Sequence, residues 1–215
     1  MATHGLGRIH HEDPRDAGFP LRAITAPPPP GRTARLWRAG ALLNQGQAPR
    51  CVGYSWKNWR DALPYRRAVH LPPSADDIYA GAQSLDPWAG KPHDGSTVRA
   101  GAQYMQSKGI IASYHWAANL DDVVAYLLGT SPVVFGTNFY SGMMQPDPTG
   151  KVSISGSVVG GHAYLVCGAN TETRLLTCFN SWGSWGDHGY FYMTFDDAAR
   201  LLSEDGEACG ALERK

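Results

Sequence analysis

The chain has no excess of charge of either sign and no long apolar run. Its 215 residues include 19 Lys plus Arg and 19 Asp plus Glu, so no net field favours nucleic acid or an anionic membrane as a partner. No apolar segment approaches the roughly 20 residues that a membrane-spanning helix needs, and the first residues form no hydrophobic signal region. We therefore expect no nucleic-acid partner, no membrane partner and a cytoplasmic location.

Cysteine is scarce, which excludes a dense disulfide framework. The four cysteines contain no C-x-x-C pair that would indicate zinc, and they stand at Cys51, Cys167, Cys178 and Cys209. Cys167 and Cys178 fall on the two arms of a predicted hairpin, where two buried thiols are favoured over a bridge. The pair His10-His11 is interpreted as part of a solvated polar arm. The sequence therefore predicts neither a metal nor a cofactor.

The composition is that of a compact protein of mixed structure. Hydrophobic residues make up 43% of the chain, with 25 glycines and 7 tryptophans, which excludes disorder. The length suits one large domain or two small lobes. Residues 1–35, with the run Pro27-Pro28-Pro29-Pro30, predict an extended arm, and residues 36–215 predict the folded domain. We expect the arm to wrap the outside of that domain and to leave any cleft free.

The first half of the domain has the periodicity of helices. Apolar residues recur at helical spacing from Cys51 until Leu63-Pro64 ends the pattern, at Val52, Trp56, Trp59 and Leu63. Further helices are predicted after the capping residues Ser74 and Asn119 and from Thr97 to Lys108. Cys51 therefore stands at a helix N-terminus, where unsatisfied N–H groups favour a thiolate.

The second half has the sequence pattern of short strands. They are predicted at Val133–Phe135, Ser153–Val159, from His162 to Val166, at Leu175–Phe179 and at Tyr190–Phe195. Helices first and strands later indicate an α+β fold of two lobes, about 41–130 and 131–215. Such lobes leave a cleft between them.

One predicted hairpin brings a histidine and an asparagine together. A strand begins at Gly160-Gly161 with His162 at its start, and the return strand ends at Asn180. Residues near the open ends of an antiparallel hairpin lie side by side. The asparagine oxygen can then accept from one ring nitrogen and leave the other facing a nucleophile, with Trp182 covering the pair.

Cys51 is the candidate nucleophile for this histidine. Proton transfer to His162 would give a thiolate that attacks carbonyl carbon at neutral pH. The oxyanion then needs donors, and Gln45 lies six residues before Cys51 across an irregular loop. Its side-chain N–H can serve with the backbone N–H of Cys51.

These strings resemble the papain-like cysteine peptidases. Asn44-Gln45-Gly46 followed by Cys51 resembles the oxyanion glutamine and nucleophile of that family, and Gly161-His162-Ala163 resembles its base. Asn180-Ser181-Trp182-Gly183 resembles the block with the orienting asparagine, and Glu207-Ala208-Cys209-Gly210 resembles the C-terminal segment. The resemblance runs from about Ala41 to Leu212. It implies the papain-like two-lobed α+β fold, with a helical N-terminal lobe and an antiparallel β-rich C-terminal lobe on either side of the active-site cleft.

The resemblance also implies where a peptide substrate binds. Asp94-Gly95-Ser96 is similar to the strand whose backbone binds the substrate beside the reacting peptide. Thr97 and Val98 approach the pocket for the second residue on the acyl side. Gly161 and Trp182 complete the implied substrate-binding set, which is Gly95, Ser96, Thr97, Val98, Gly161 and Trp182.

Several positions depart from the family pattern. Arg50 and Val52 flank Cys51, where the family has a further cysteine and a tryptophan, and Ser96 replaces a glycine. The interval of 111 residues from Cys51 to His162 is shorter than the usual value of about 130. No inhibitory propeptide of the usual size is seen before Ala41. These features resemble compact bacterial or bacteriophage members of the family.

The sequence therefore predicts a cysteine endopeptidase that acts on a peptide or protein substrate, with Cys51, His162, Asn180 and Gln45 as its catalytic residues. A cell-wall peptide amidase with the same cysteine–histidine chemistry is one alternative. A non-catalytic binding or structural module of the same fold is another, for instance within a larger particle such as a phage virion.

Overall fold

A computed structural model describes residues 4–65 and 71–214. In this part of the chain seven strands form one antiparallel sheet, in the order β2-β7-β3-β4-β5-β6, with β1 paired to β4. The strands are β1 (Ala34–Leu36), β2 (Ile111–Trp116), β3 (Val133–Tyr140), β4 (Val158–Asn170), β5 (Leu175–Phe179), β6 (Tyr190–Thr194) and β7 (Glu207–Glu213). The helices are α1 (Cys51–Asp61), α2 (Ala75–Gln83), α3 (Val98–Ser107), α4 (Leu120–Gly129), the single turn α5 (Trp185–His188) and α6 (Phe195–Ser203). Short 3₁₀ turns cover Pro14–Gly18, Leu21–Ile24 and Ser141–Met144.

The central strands are buried on both faces. Val134 and Leu165 pack with Trp56 of α1 in one apolar cluster. Their strand neighbours Phe135 and Tyr164 pack in the other cluster, which also contains side chains of α4 and α6. Successive side chains of a strand point to opposite faces, so β3 and β4 need apolar residues in nearly every position. This requirement explains the continuous apolar run of β4.

The predicted helix starts are confirmed. Ser74 forms both hydrogen bonds of a capping box at α2. Thr97 and Asn119 accept from backbone N–H groups in the first turns of α3 and α4. Cys51 is the first residue of α1, which ends just before the predicted stop at Leu63-Pro64.

The strand predictions are partly wrong at the entrance to β4. Residues 152–157 are irregular, and only Val158 and Val159 of the predicted strand Ser153–Val159 are extended. Gly160 and Gly161 lie inside β4, paired with Phe139 and Asn138 of β3, so His162 is the fifth residue of the strand. The pattern missed β1, β2, β7 and α6.

Most of the N-terminal arm packs against the rest of the domain. Leu21 is fully buried, the carbonyl of Phe19 accepts from Trp116 N–H, and β1 pairs with the end of β4. Residues 14–36 are thus packed into the fold: Leu21 belongs to the core and β1 to the sheet. Residues 4–10 take a different path, described below.

None of the described helices has the length and apolar character needed to cross a membrane.

Candidate active site

His162 is held by the residue that follows β5. Its Nε2 lies 2.8 Å from Oδ1 of Asn180, because the pairing of Leu165 with Phe179 brings the open ends of β4 and β5 together. Trp182 stacks on the imidazole with ring centroids 4.4 Å apart. The predicted neighbourhood of His162, Asn180 and Trp182 is therefore present. With Asn180 Oδ1 accepting, Nε2 carries the proton and Nδ1 is the basic nitrogen.

Nδ1 of His162 is the nitrogen available for chemistry. It is buried and has no hydrogen-bond partner within residues 4–65 and 71–214. A buried polar atom without a partner is costly and rare. Asn180 thus engages one ring nitrogen and leaves the other without a partner in the described part of the chain.

Cys51 lies against the strand that carries His162. The backbone N–H groups of Ala163, the residue after His162, and of Val52 and Cys51 itself lower the pKa of the Cys51 thiol, and the Cys51 and Ala163 side chains belong to one buried cluster. Donors of this kind at a helix start favour a thiolate. A separation of about 3 to 4 Å between the sulfur and Nδ1 stays a prediction.

Burial shifts the pKa of both groups toward the neutral form. Burial raises the pKa of the Cys51 thiol to about 12, against the opposing effect of the backbone donors. Burial lowers the pKa of His162 to about 4, against the opposing hydrogen bond to Asn180. Loss of water disfavours the charged form of each group, so exposure to solvent would favour the thiolate–imidazolium pair.

Gln45 is oriented by a residue that the sequence analysis did not single out. Ser181 Oγ donates to Gln45 Oε1 over 2.7 Å. The Gln45 amide nitrogen donates to the carbonyl of Gly5 at 3.0 Å and to that of Ala48 at 2.8 Å. The position of Ser181 between Asn180 and Trp182 was the available signal.

The N-terminal residues His4–His10, here called the strap, lie across this site. The N–H groups of Gly7 and Arg8 both donate to the carbonyl of Gly161, at 2.9 and 3.0 Å. On the other side, Ser96 N–H donates to Gly7 and Ser96 O accepts from Ile9, both at 2.9 Å. The strap is therefore held by main-chain hydrogen bonds on two sides, as an extended peptide in a groove would be.

The strap corrects the expectation that the whole arm leaves the cleft free. Gly5 and Gly7 allow its close approach, because a Cβ at Gly5 would lie 2.1 Å from the Ala48 oxygen and one at Gly7 2.3 Å from the Pro49 oxygen. The carbonyl of Gly5 also accepts from the indole N–H of Trp182 at 3.1 Å. Glycine spacing without a helical or strand pattern gave no sign of this path.

The predicted substrate-binding residues fall into two groups. Ser96 and Gly161 contact the strap backbone, and a Cβ at Gly95 would lie 2.2 Å from the Gly7 oxygen. Thr97 has a structural role, since its hydroxyl caps α3 and donates to Asp86 at 2.9 Å. Val98 is fully buried, and its side chain lies beside Gly136.

The chain has the papain-like fold. It superposes on xylellain, a cysteine protease from Xylella fastidiosa, with a TM-score of 0.72 and 18% identity, over 100% of this chain and 98% of that one. It is also similar to the bromelain protease of Ananas comosus in complex with the inhibitor E64 (TM-score 0.63, 14% identity, 85% of this chain and 99% of that one). A third similar structure is a digestive procathepsin L2 proteinase from Tenebrio molitor larval midgut (TM-score 0.61, 16% identity, 97% and 78%).

Sequence comparison gives a shorter match. An uncharacterized peptidase C1-like protein of Acanthamoeba polyphaga mimivirus is 35% identical over 82 residues, which are 35% of this chain and 26% of that protein. The match thus spans about a quarter of the curated relative. No family model matches the chain. Together the comparisons support the resemblance to papain-like proteases that the motifs indicated.

Proposed function

We propose that this protein is a papain-like cysteine endopeptidase. Cys51 is the nucleophile, His162 the base and then the acid, Asn180 the orienting residue and Gln45 an oxyanion donor. The observation that carries this proposal is the His162–Asn180 hydrogen bond under Trp182, with Cys51 at a helix start against the next residue of the same strand.

The reaction follows from these positions. Nδ1 of His162 takes the proton of the Cys51 thiol, and the sulfur attacks the carbonyl carbon of the substrate peptide. Gln45 and the backbone N–H of Cys51 stabilise the oxyanion. The imidazolium returns the proton to the leaving amine, which departs and leaves a thioester. Water, deprotonated by His162, then attacks the thioester and releases the acid and the thiol.

The strap is oriented so that it is not itself a substrate. It begins beside Gln45 and Trp182 and reaches Ser96 in a parallel bridge at Arg8. The family resemblance places the acyl side of a substrate at Ser96 and Val98, so a substrate would run the opposite way. The structure thus corresponds to a covered, resting state, from which the strap must leave before a substrate binds.

The orienting residue favours peptide hydrolysis of the papain type over a cell-wall amidase. Compact cysteine–histidine cell-wall hydrolases tend to use a second histidine or another polar group, whereas Asn180 occupies this position here. The non-catalytic module would lack one of the four catalytic residues, and all are present. Cytoplasmic location, and association with a phage virion, stay predictions based on the sequence alone.

An epoxide inhibitor of the E-64 type tests the proposal. We expect it to modify Cys51 and to leave the buried Cys167, Cys178 and Cys209 unmodified, as read by peptide mapping. Since the strap covers the site, the full chain is compared with Gly5→Val, which detaches the strap. Two results would overturn the assignment of Cys51 and His162. One is labelling of Cys51 that persists unchanged in His162→Ala, and the other is no labelling in either the full chain or Gly5→Val.

A further inference from the structure

The side chain of Arg8 leaves the strap and enters a pocket of the cleft. It is 1% exposed, and its Nε donates to Glu207 Oε1 at 2.9 Å. One terminal nitrogen also lies 2.9 Å from His10 Nδ1 and donates to the carbonyl of Asp205. The guanidinium therefore has a carboxylate on one edge and a backbone acceptor on another.

The pocket is shaped by a glycine on the central sheet. Gly136 of β3 pairs with Glu207 of β7. A Cβ at Gly136 would lie 2.8 Å from both Glu207 Oε1 and Val98 Cγ2, and 2.9 Å from Arg8 Nε. A side chain at position 136 would thus fill the space that the guanidinium occupies.

The carboxylate in this pocket needs a cation. Glu207 is 13% exposed, and burial raises its pKa, an effect that Arg8, and more weakly His10 and Arg99, oppose. Removing one partner of a buried ion pair leaves an uncompensated charge, which is strongly unfavourable. When the strap leaves, Glu207 therefore loses its main partner.

The strap backbone is held on both sides, by Ser96 and Gly161, the residues that the resemblance assigns to substrate binding. The side chain with which a peptide in this groove fills the pocket indicates the kind of side chain that the pocket accepts. Val98 belongs to the implied pocket for the second residue on the acyl side. Although the strap runs opposite to a substrate, the Arg8 side chain therefore fills the pocket that this substrate residue would enter.

We propose that the protein selects peptides with arginine as the second residue on the acyl side of the cleaved bond, and that Glu207 determines this specificity. The inference rests on the proposed function for its catalytic test, but the pocket and its ligand are defined by the Arg8 contacts alone. Arginine suits the site because its planar guanidinium makes several charge-assisted hydrogen bonds in fixed directions.

The catalytic test uses the full chain with Gly5→Val, to detach the strap, and Arg8→Ala, to remove the side chain that fills the pocket. Fluorogenic dipeptide amides share one residue next to the leaving group and carry arginine, citrulline or leucine before it. Citrulline has the shape of arginine without the charge. We expect kcat/KM for arginine to exceed that for citrulline by at least about 10-fold, since a buried charged pair contributes on the order of this factor or more. Adding Glu207→Gln should remove most of this ratio.

Asp196→Asn is the matched control. It removes the same charge from an exposed ion pair with Arg174, and it should leave the arginine-to-citrulline ratio unchanged. Equal rates for arginine and citrulline in the Arg8→Ala chain would overturn the proposal. So would a preference for arginine that survives Glu207→Gln.

A binding test separates this proposal from the proposed function. In the full chain with Gly5→Val, Cys51→Ala and Arg8→Ala, calorimetry measures the affinity of a short capped peptide with arginine against its citrulline analogue. Tighter binding of the arginine peptide, lost on Glu207→Gln, supports the pocket even if no peptide is ever cleaved. Equal affinity of the two peptides refutes it, even if Cys51 proves to be a nucleophile. Failure of E-64 labelling would refute only the peptidase assignment.

Discussion

Ser181 and Gln45 form the smallest unit of the site that can be tested by itself. The serine hydroxyl donates to the amide oxygen of Gln45, which turns the amide nitrogen toward the site. In the resting state that nitrogen is engaged by the Gly5 carbonyl of the strap. The proposed role of this N–H group as an oxyanion donor therefore requires that the strap leaves first.

We expect Gln45→Ala to lower turnover by about 10 to 1000-fold, because one oxyanion donor is lost. Ser181→Ala should lower kcat by a smaller factor, since the amide stays but loses its orientation. Both are measured with a short fluorogenic peptide in a Gly5→Val background. Gln47→Ala, an exposed amide in the same loop, is the control. Unchanged turnover in Gln45→Ala would remove Gln45 from the site and leave the assignment of Cys51 standing.

His162 makes stability depend on pH in a predictable direction. Its pKa falls from 6.5 to about 4 in the native state because it is buried, so between these values the unfolded chain binds more protons than the native one. Stability from this group is then complete above about pH 6.5 and is lost progressively as the pH falls toward 4. Urea unfolding between pH 7 and pH 4 measures it. His162→Gln should reduce the pH slope, and an identical slope in the two proteins would contradict the expectation.

At the scale of elements, the start of α2 is a local test of the fold. Ser74 accepts from Asp77 N–H, and the Asp77 carboxylate accepts from Ser74 N–H at 2.9 Å. Ser74→Ala should lower the free energy of unfolding by about 1 kcal/mol, because a helix N-cap is lost. Ser84→Ala, an exposed hydroxyl at the other end of the helix, should change it less. Equal losses of unfolding free energy in the two variants would show that the Ser74 cap makes no specific contribution to stability.

The strap is the element whose removal should change access to the site. A side chain at Gly5 has no room beside the Ala48 oxygen, so Gly5→Val should detach the strap. We expect labelling of Cys51 by an epoxide to become at least about 10-fold faster, since each loss of about 1.4 kcal/mol in strap binding raises the open-to-covered ratio 10-fold. Gly18→Val is the matched control, because a Cβ at Gly18 meets no atom within 4 Å. Equal labelling rates in the two variants would show that the strap does not limit access.

The sequence predicted the elements whose signals are local. The helix from Cys51 is marked by apolar residues at helical spacing, and the starts at Ser74 and Asn119 by their capping side chains. The hairpin that joins His162 to Asn180 was likewise visible, because its two strands are adjacent in the chain. β7 was missed because Cys209-Gly210-Ala211 has little strand character by itself and becomes a strand through pairing with β2 and β3.

The site likewise has a part that the sequence predicted and a part that it did not. The order of Gln45, Cys51, His162 and Asn180 and the strings around them predicted which residues meet. The strap could not be predicted, since it depends on main-chain hydrogen bonds from Gly7 and Arg8 to residues about 90 and 150 positions away. Glu207 was noted only as part of a C-terminal string. Its pairing with Arg8 spans 199 positions, and no local pattern indicates it.

At the scale of the whole molecule, the N-terminal arm has two parts with different structural roles. Residues 14–36 complete the fold, with Leu21 in a core that also holds Val123, Phe135 and Tyr164, and with β1 paired to β4. Residues 4–10 cover the cleft and bury polar groups, notably the Arg8–Glu207 pair. The first part contributes to stability through apolar burial, and the second to the resting state of the site.

Two deletions separate these parts. Removing residues 1–10 should uncover Cys51 and raise turnover of a small peptide, with a modest loss of stability. Removing residues 1–36 should uncover it too. It also removes the buried Leu21 side chain, and burial of such a side chain contributes about 1.5 to 3 kcal/mol. The pairing of β1 is lost as well. Thermal unfolding and initial rates are compared in the same buffer.

Unchanged turnover after the shorter deletion would mean that the strap leaves the cleft readily by itself. Equal stability of the two shortened chains would show that residues 14–36 are not part of the folded core. If turnover rises after the shorter deletion and stability falls mainly after the longer one, the boundary between the covering and supporting parts of the arm lies between His10 and Pro14.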